Sequence, residues 1–395
     1  MVSEDLRPAW AEVNLDNLLH NFSEVRRLVG KDVKILAAVK ADAYGHGAVP
    51  CSKALVEAGA DMFGVAMVTE GVELRNAGIT NPILNLGYTP REQYGLLLKY
   101  NLSAAVYNSA HAQVLNSLAA KKSTKAHIHV KIDTGMGRLG FQANDQTIRE
   151  IKSINALPYL KIDGVFTHFA ASDMKDKSYT RKQFELFQWI LGKLRDNDVE
   201  IPIKHVSNSA AIIDLPEYNL DMVRPGGMLY GYMPSEGRSD RVNLKPCMSL
   251  KARFSNVKTV AEGTALSYGL TFVTNRRSVI GTVPLGYADG YRRALSNCGI
   301  VGIDGKSVPV VGRVCMDQFM VDLTNLDVDL INVDEVTIFG GYGSPTVEEL
   351  AKQLCTIPDE IICDIARRVP RVYLRDGKIV EVKDHLLTNS NKDAY

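Results

Sequence analysis

Between about residue 33 and residue 232 the chain alternates short apolar runs with longer amphipathic stretches, eight times in succession, and few folds accept such a rhythm. The apolar runs are Val33–Val39, Met62–Met67, Pro82–Leu86, Ser103–Tyr107, Ala126–Ile132, Ile162–Thr167, Ile203–Val206 and Met222–Val223. Helix-like segments fall between them: Thr69–Ala77, Arg91–Lys99, Ala110–Ala120, Asp145–Ile154, Tyr179–Asp196 and Ala210–Leu215. Most follow a Ser, Thr, Asp or Asn, whose side chain accepts the free N–H groups of a helix start. Eight strand-helix units in sequence predict a parallel (β/α)8 barrel closed on itself, an α/β fold of the TIM type. A helix over Leu15–Val29 precedes the first strand and is placed to cap the barrel floor.

After Tyr232 the pattern becomes short Val- and Ile-rich strands broken by Gly, Asn and Asp turns, as in RSVIGTVPLGYADG and DEVTIFGGYG. The Asp-Gly of IDGK predicts a tight hairpin, and one helix is expected near Thr346–Leu354. The expected division is therefore a barrel over residues 1–240, a mostly β domain over 241–385 and a tail over 386–395, with the boundary in the polar stretch 233–246.

The 395 residues carry a net charge of +1, with 46% hydrophobic and 23% charged residues. That balance supplies no field for nucleic acid or an anionic membrane. No apolar run approaches the roughly 18 residues of a membrane span, and the opening MVSEDLRPAW lacks a signal pattern, so a cytoplasmic protein is expected. Six scattered cysteines without a CxxC pair predict neither a metal site nor a disulfide framework.

In a parallel barrel, chemistry gathers at the carboxyl ends of the strands. Lys40 and Tyr44 follow the first strand in VKADAYGHG, Arg138 follows the fifth in DTGMGRLG, and His168 ends the sixth in FTHF. Asn208 and Ser209 end the seventh in HVSNSAA, and Arg224, Gly226 and Gly227 end the eighth in RPGG. Each alone reads more readily as structural, but together they mark one reactive rim. A lysine ending a buried strand is partly desolvated, which frees its amine for attack on a carbonyl or for proton transfer. Ser209 with the amides at Gly226 and Gly227 suits a phosphate, although a tight exit turn explains those glycines equally. A phosphorylated carbonyl cofactor on Lys40 follows from these types.

The segments VKADAYGHG, VKIDTGMGRLGF, THFA, HVSNSAA, VRPGGMLYG, SYG, GYADG and GRVCMDQ, in this order over nearly the whole chain, resemble those of bacterial alanine racemases. That resemblance implies a homodimer with shared active sites, dependent on pyridoxal 5'-phosphate and acting on a small amino acid. It implies that Lys40 carries the cofactor as a Schiff base and is one of two catalytic bases. Tyr268, from the partner subunit, would be the other, on the opposite face of the substrate Cα. Arg224 would face the pyridine nitrogen, with His168 behind it. Tyr44, Ser209, Gly226 and Gly227 would hold the phosphate, with Asn208 adjacent. Arg138 and the backbone amide of Met316 would meet the substrate carboxylate, and Tyr287 and Asp317 would shape the approach to the site. The activity implied is interconversion of L- and D-alanine, supplying D-alanine for peptidoglycan.

Two positions carry separate expectations. Lys131 alternates away from its apolar neighbours, so it points into a barrel interior where an unpaired ammonium is costly. The matching lysine is carbamylated in some family members; pairing with Asp133 or another carboxylate is the competing reading. Arg367 stands where the family typically has a tyrosine near the site's mouth, which opens substrate choice: serine is expected as a secondary substrate. A serine or broad-specificity racemase is the alternative, and a non-catalytic pyridoxal-phosphate carrier is a reading of a different class, disfavoured by the presence of the second domain. A decarboxylase of related architecture commonly has an acidic group where this chain has Arg224.

Overall fold

The computed structural model describes residues 6–234, 240–326 and 335–388. Residues 235–239 of the expected boundary segment, residues 389–395 of the expected tail and residues 327–334 lie outside these. The chain forms two compact units: residues 18–43 with 47–245, and residues 1–17 with 44–46 and 246–395.

The first unit is the barrel. Its eight strands, Lys34–Ala38, Met62–Val65, Ile83–Asn85, Ser103–Val106, Ala126–Asp133, Leu160–Phe166, Ile203–His205 and Met222–Val223, lie within a few residues of the expected runs. Adjacent pairs are parallel throughout, and the eighth strand pairs with the first through Met222 opposite Lys34. The last gap is bridged by backbone bonds, Asp221 N–H to Lys204 O at 3.1 Å and Arg224 N–H to Ser207 O at 2.9 Å. Leu36, Met62, Leu84 and Met222 fill the interior near the strand starts, a close-packed plug rather than a pore. Asn108, Asn144 and Asn208 each accept the N–H three residues on and so cap their helices. The segment Leu15–Val29 is helical, as expected.

The second unit is built on one ten-stranded sheet. Its order is Asn256–Val260, Ser278–Val283, Phe319–Asp322, Lys306–Val311, Ile300–Ile303, Val336–Phe339, Met248–Ala252, Ala9–Asn14, Arg371–Arg375 and Lys378–Lys383. The IDGK hairpin is present, with Asp304 and Gly305 at φ 47° and 73°, and a helix spans Val347–Gln353 behind a Thr346–Glu349 capping box. One expectation is corrected: the start of the chain does not belong to the barrel. Ala9–Asn14 pairs antiparallel with Met248–Ala252 and parallel with Arg371–Arg375. Local pattern cannot choose a strand's partner, and a central position in this sheet satisfies both of its edges.

Candidate active site

The first barrel strand runs directly into Lys40, and the backbone there does something no propensity predicts. Ala41, Asp42, Ala43 and Tyr44 all have φ between 52° and 55°, a left-handed turn without a single glycine. Each such residue costs roughly 1–2 kcal/mol, so the surroundings must impose the turn. Glu70 accepts the Ala41 N–H at 2.7 Å with one oxygen and the Ala66 and Met67 N–H groups with the other. Asp42 Oδ1 accepts the Ala48 N–H at 2.7 Å, and Ala43 N–H returns to Val39 O at 2.9 Å. The turn holds Lys40 at the strand's carboxyl end. Tyr44 is buried and belongs to the second unit, with burial pushing its phenol upward.

Arg224 is a tightly held, buried cation of the barrel. Only 6% exposed, it donates through Nη2 to Thr167 O at 2.8 Å, Val206 O at 3.0 Å and His168 Nδ1 at 3.2 Å. Nη1 donates to His205 Nδ1 at 3.0 Å, and His205 Nε2 lies 2.9 Å from His129 Nδ1. Burial lowers Arg224 to about 9, still charged at neutral pH. Phe166 stacks on His205 at 4.8 Å, and only glycine fits at position 164, where a Cβ would fall 2.3 Å from His129 Nδ1. Gln183 donates to His168 O at 3.1 Å and accepts the Ala170 N–H, fixing the end of the sixth strand. His129, His205, Gln183 and Glu70 were not foreseen. Each falls on a barrel strand or helix where a polar side chain reads as surface or core, and only closure of the barrel turns them toward one another.

Lys131 is 5% exposed, with its Nζ 5.5 Å from the Phe166 ring centroid. No carboxylate among the described residues pairs with it. The competing pairing with Asp133 does not form: Asp133 Oδ1 instead accepts the Gly135 and Gly137 N–H groups of its own loop. Burial first, then the cations of Arg138 and Arg224, lower the Lys131 amine to about 8. Arg138 itself is exposed on the loop after the fifth strand.

Burial drives His168 well below its ordinary value, and Arg224, Arg138, Lys131 and Lys40 all push in the same direction. The carboxyl rim therefore gathers four cations around one imidazole, a ready acceptor of anionic groups. Beside it Ser209 Oγ accepts the Gly226 N–H at 2.9 Å, and Gly227 opens a short 3-10 turn. Asn208 Oδ1 is occupied by the Ala211 N–H and the Ser172 hydroxyl, so its side chain caps the helix.

In the second unit Tyr268 is 72% exposed, projected on a turn in which Ser267 and Leu270 are left-handed. Ser267 Oγ donates to Arg313 O at 2.7 Å, which ties that turn to the loop carrying Met316. Met316 is exposed; its carbonyl accepts the Ala288 N–H, and no acceptor among the described residues meets its own N–H. Tyr287 is half-exposed beside them. Asp289, unforeseen and wholly buried, receives Arg7 twice, Arg368 at 2.6 Å and the Gly286 N–H at 2.9 Å, while Arg368 also reaches Asp317 at 2.7 Å. Arg367 is exposed, 3.3 Å from His385 Nδ1.

Comparison with known proteins agrees in both units. The family description "Alanine racemase, N-terminal domain" matches residues 13–234, and "Alanine racemase, C-terminal domain" matches 247–373. Alanine racemase 2 of Caldanaerobacter subterraneus is 48% identical over 97% of this chain and 99% of its own length. Among solved structures, the alanine racemase of Clostridium difficile 630 superposes with a TM-score of 0.93 at 46% identity, covering 96% of this chain and 99% of that one. The alanine racemase from Bartonella henselae with covalently bound pyridoxal phosphate gives 0.83 at 28% identity, covering 93% and 99%. The chain belongs to the alanine racemase family and is an isomerase acting on amino acids.

Proposed function

We propose that the protein interconverts L- and D-alanine with pyridoxal 5'-phosphate held at the carboxyl rim of the barrel, by two bases on opposite faces of Cα. The observation that carries this reading is the set of cations, Lys40, Lys131, Arg138 and Arg224, that converges on the buried His168. A phosphorylated cofactor and a substrate carboxylate would bring negative charge to these cations, and the cofactor of the Bartonella henselae relative is of this kind. Pyridoxal 5'-phosphate held there would supply a carbonyl carbon for the substrate amine and an electron sink for Cα.

The residues then divide the work. Lys40 would anchor the cofactor and, once displaced, take or give the proton on its face of Cα. Tyr268 of a second copy of the chain would do the same on the other face, which requires a homodimer; its exposed, stiffly held turn suits donation across a subunit boundary. Arg224 donates to two carbonyls and two imidazoles and remains charged, so it would stabilise the ring nitrogen without passing it a proton. His168 and His205 orient that guanidinium. Ser209, the Gly226 and Gly227 backbone and Tyr44 would hold the phosphate, with Asn208 acting through the helix it caps. Arg138 and the Met316 N–H of the second copy would bind the carboxylate. Tyr287, Asp317 and Arg367 would line the approach, and with Arg367 there serine is turned over as a secondary substrate. Lys131, buried without a carboxylate and shifted toward its neutral amine, is suited to carbamylation, which would turn it into an anion for Arg138. The product role is supply of D-alanine for peptidoglycan.

The test is loss of the α-hydrogen in heavy water from each enantiomer separately. The wild type exchanges both. Tyr268→Phe should lose racemisation by about 10²–10⁴-fold while retaining exchange from the single enantiomer that Lys40 serves, and Lys40→Ala should lose the violet absorbance of the Schiff base. Undiminished racemisation by Tyr268→Phe would refute the two-base reading.

A further inference from the structure

At the amino-terminal end of the barrel, opposite the reactive rim, lies a cavity of about 560 Å³. It is lined by residues at the start of every strand, among them Lys34, Ser103, His127 and Lys161, and by His129 from deeper in the fifth. His129 is 1% exposed, and its Nδ1 is the atom bonded to His205.

The bond directions in this column follow from Arg224. A guanidinium only donates, so His205 Nδ1 must accept. In a neutral imidazole the proton then sits on His205 Nε2, which donates to His129 Nδ1. His129 must therefore carry its proton on Nε2, the ring edge left to the cavity, where no acceptor among the described residues meets it. Both rings are neutral near pH 7, because burial lowers His129 to about 4 and holds His205 well below its ordinary value.

The acceptors near the cavity are already committed. Asp163 receives His127 at 2.5 Å and Lys161 at 3.0 Å, and Asp61 receives Arg26 and the Ile35 N–H. Helix carboxyl ends point this way and would repel an anion, but Arg75 spends its donors on the carbonyls of Ile79, Asn81, Tyr100 and Asn101 and neutralises two of them. Lys34 Nζ, the Ser103 hydroxyl and His129 Nε2–H remain as donors without protein partners among the described residues.

We propose that this floor cavity binds a small oxyanion on His129, Ser103 and Lys34, and that the two imidazoles couple the bound anion to Arg224. An anion on His129 Nε2–H makes Nδ1 a stronger acceptor, which strengthens the His205 donation and, in turn, the pull of His205 on Arg224. The coupling to catalysis rests on the role given to Arg224 above; the binding itself does not.

Isothermal titration of the holoenzyme with inorganic phosphate, and separately with acetate, at fixed ionic strength tests the site and distinguishes phosphate from carboxylate sources. Phosphate is expected to bind with Kd of about a millimolar, weakened about tenfold in Lys34→Ala by loss of one charge-assisted contact. The histidine ¹⁵N resonances of His129 and His205 should shift together on titration. His129→Leu, which offers neither an N–H to the cavity nor an acceptor to His205, should weaken binding and abolish the His205 shift, whereas His129→Gln, whose amide offers both a donor and an acceptor, should restore part of each. Absence of saturable binding by either anion would overturn the proposal. So would binding unchanged in both Lys34→Ala and Ser103→Ala, which would mean an adventitious ion only. A His205 resonance that stays fixed in the wild type on saturation would overturn the coupling.

Discussion

Glu70 accepts the Ala41 N–H at 2.7 Å, one residue beyond Lys40. A left-handed turn of four non-glycine residues persists only when its neighbours impose it, and this carboxylate binds the turn to Ala66 and Met67, the two residues between the second strand and the helix that follows it. Glu70→Ala should leave the circular dichroism spectrum unchanged and lower kcat about tenfold or more, since contacts to charged groups are worth about 1.5–3 kcal/mol. Glu70→Gln, which keeps one acceptor, should recover part of the loss. A wild-type kcat in Glu70→Ala would show that the turn holds itself.

Lys131 gives a pH signature. Unfolded, it binds its proton up to about 10.5; folded, it releases it near 8. Between those values the unfolded state holds more protons, so stability rises with pH, and below pH 8 the full penalty of about 3 kcal/mol stands. Denaturant titrations of the protein in carbon-dioxide-free buffer should show this rise from pH 8 to 10.5. Lys131→Met should flatten it, and bicarbonate should relieve the penalty below pH 8 through carbamate formation, visible with ¹³C-labelled bicarbonate. A flat profile without bicarbonate would refute the unpaired lysine.

Arg224→Lys exchanges a planar fork for a point charge. Lysine cannot serve His205, Thr167 O, Val206 O and His168 together. Denaturant unfolding should show a loss of about 1–3 kcal/mol from the buried groups left unpaired, with racemisation reduced as well. Equal stability would mean that water replaces the guanidinium.

Asp289 is the hub of the second unit. Burial would raise its carboxyl, but Arg7, Arg368 and the Gly286 N–H outweigh burial and hold it below the ordinary range. Its stabilisation is therefore complete above about pH 4 and lost as pH falls through the lowered value. Asp289→Ala should cost about 3–5 kcal/mol by stranding its partners, measured by thermal or denaturant unfolding at neutral pH; a smaller cost at pH 7 than at pH 3 would contradict the ion pairs.

The order and periodicity of apolar residues determined the barrel, because a run of eight strand-helix units buries both strand faces only by closing. Residue type at strand ends is what points to Lys40, Arg138, His168, Ser209 and Arg224 as the proposed site residues. The sequence stayed silent wherever the deciding contact joins distant segments. Ala9–Asn14 reads as an ordinary strand, and only the backbone edges of Met248–Ala252 and Arg371–Arg375 claim it for the second sheet. His129 and His205 read as core residues on separate strands until closure sets them 2.9 Å apart. The left-handed turn after Lys40 runs against the preference of every residue in it, so local propensity predicts its opposite, and only tertiary bonds to Glu70 and Asp42 make it the lower-energy path.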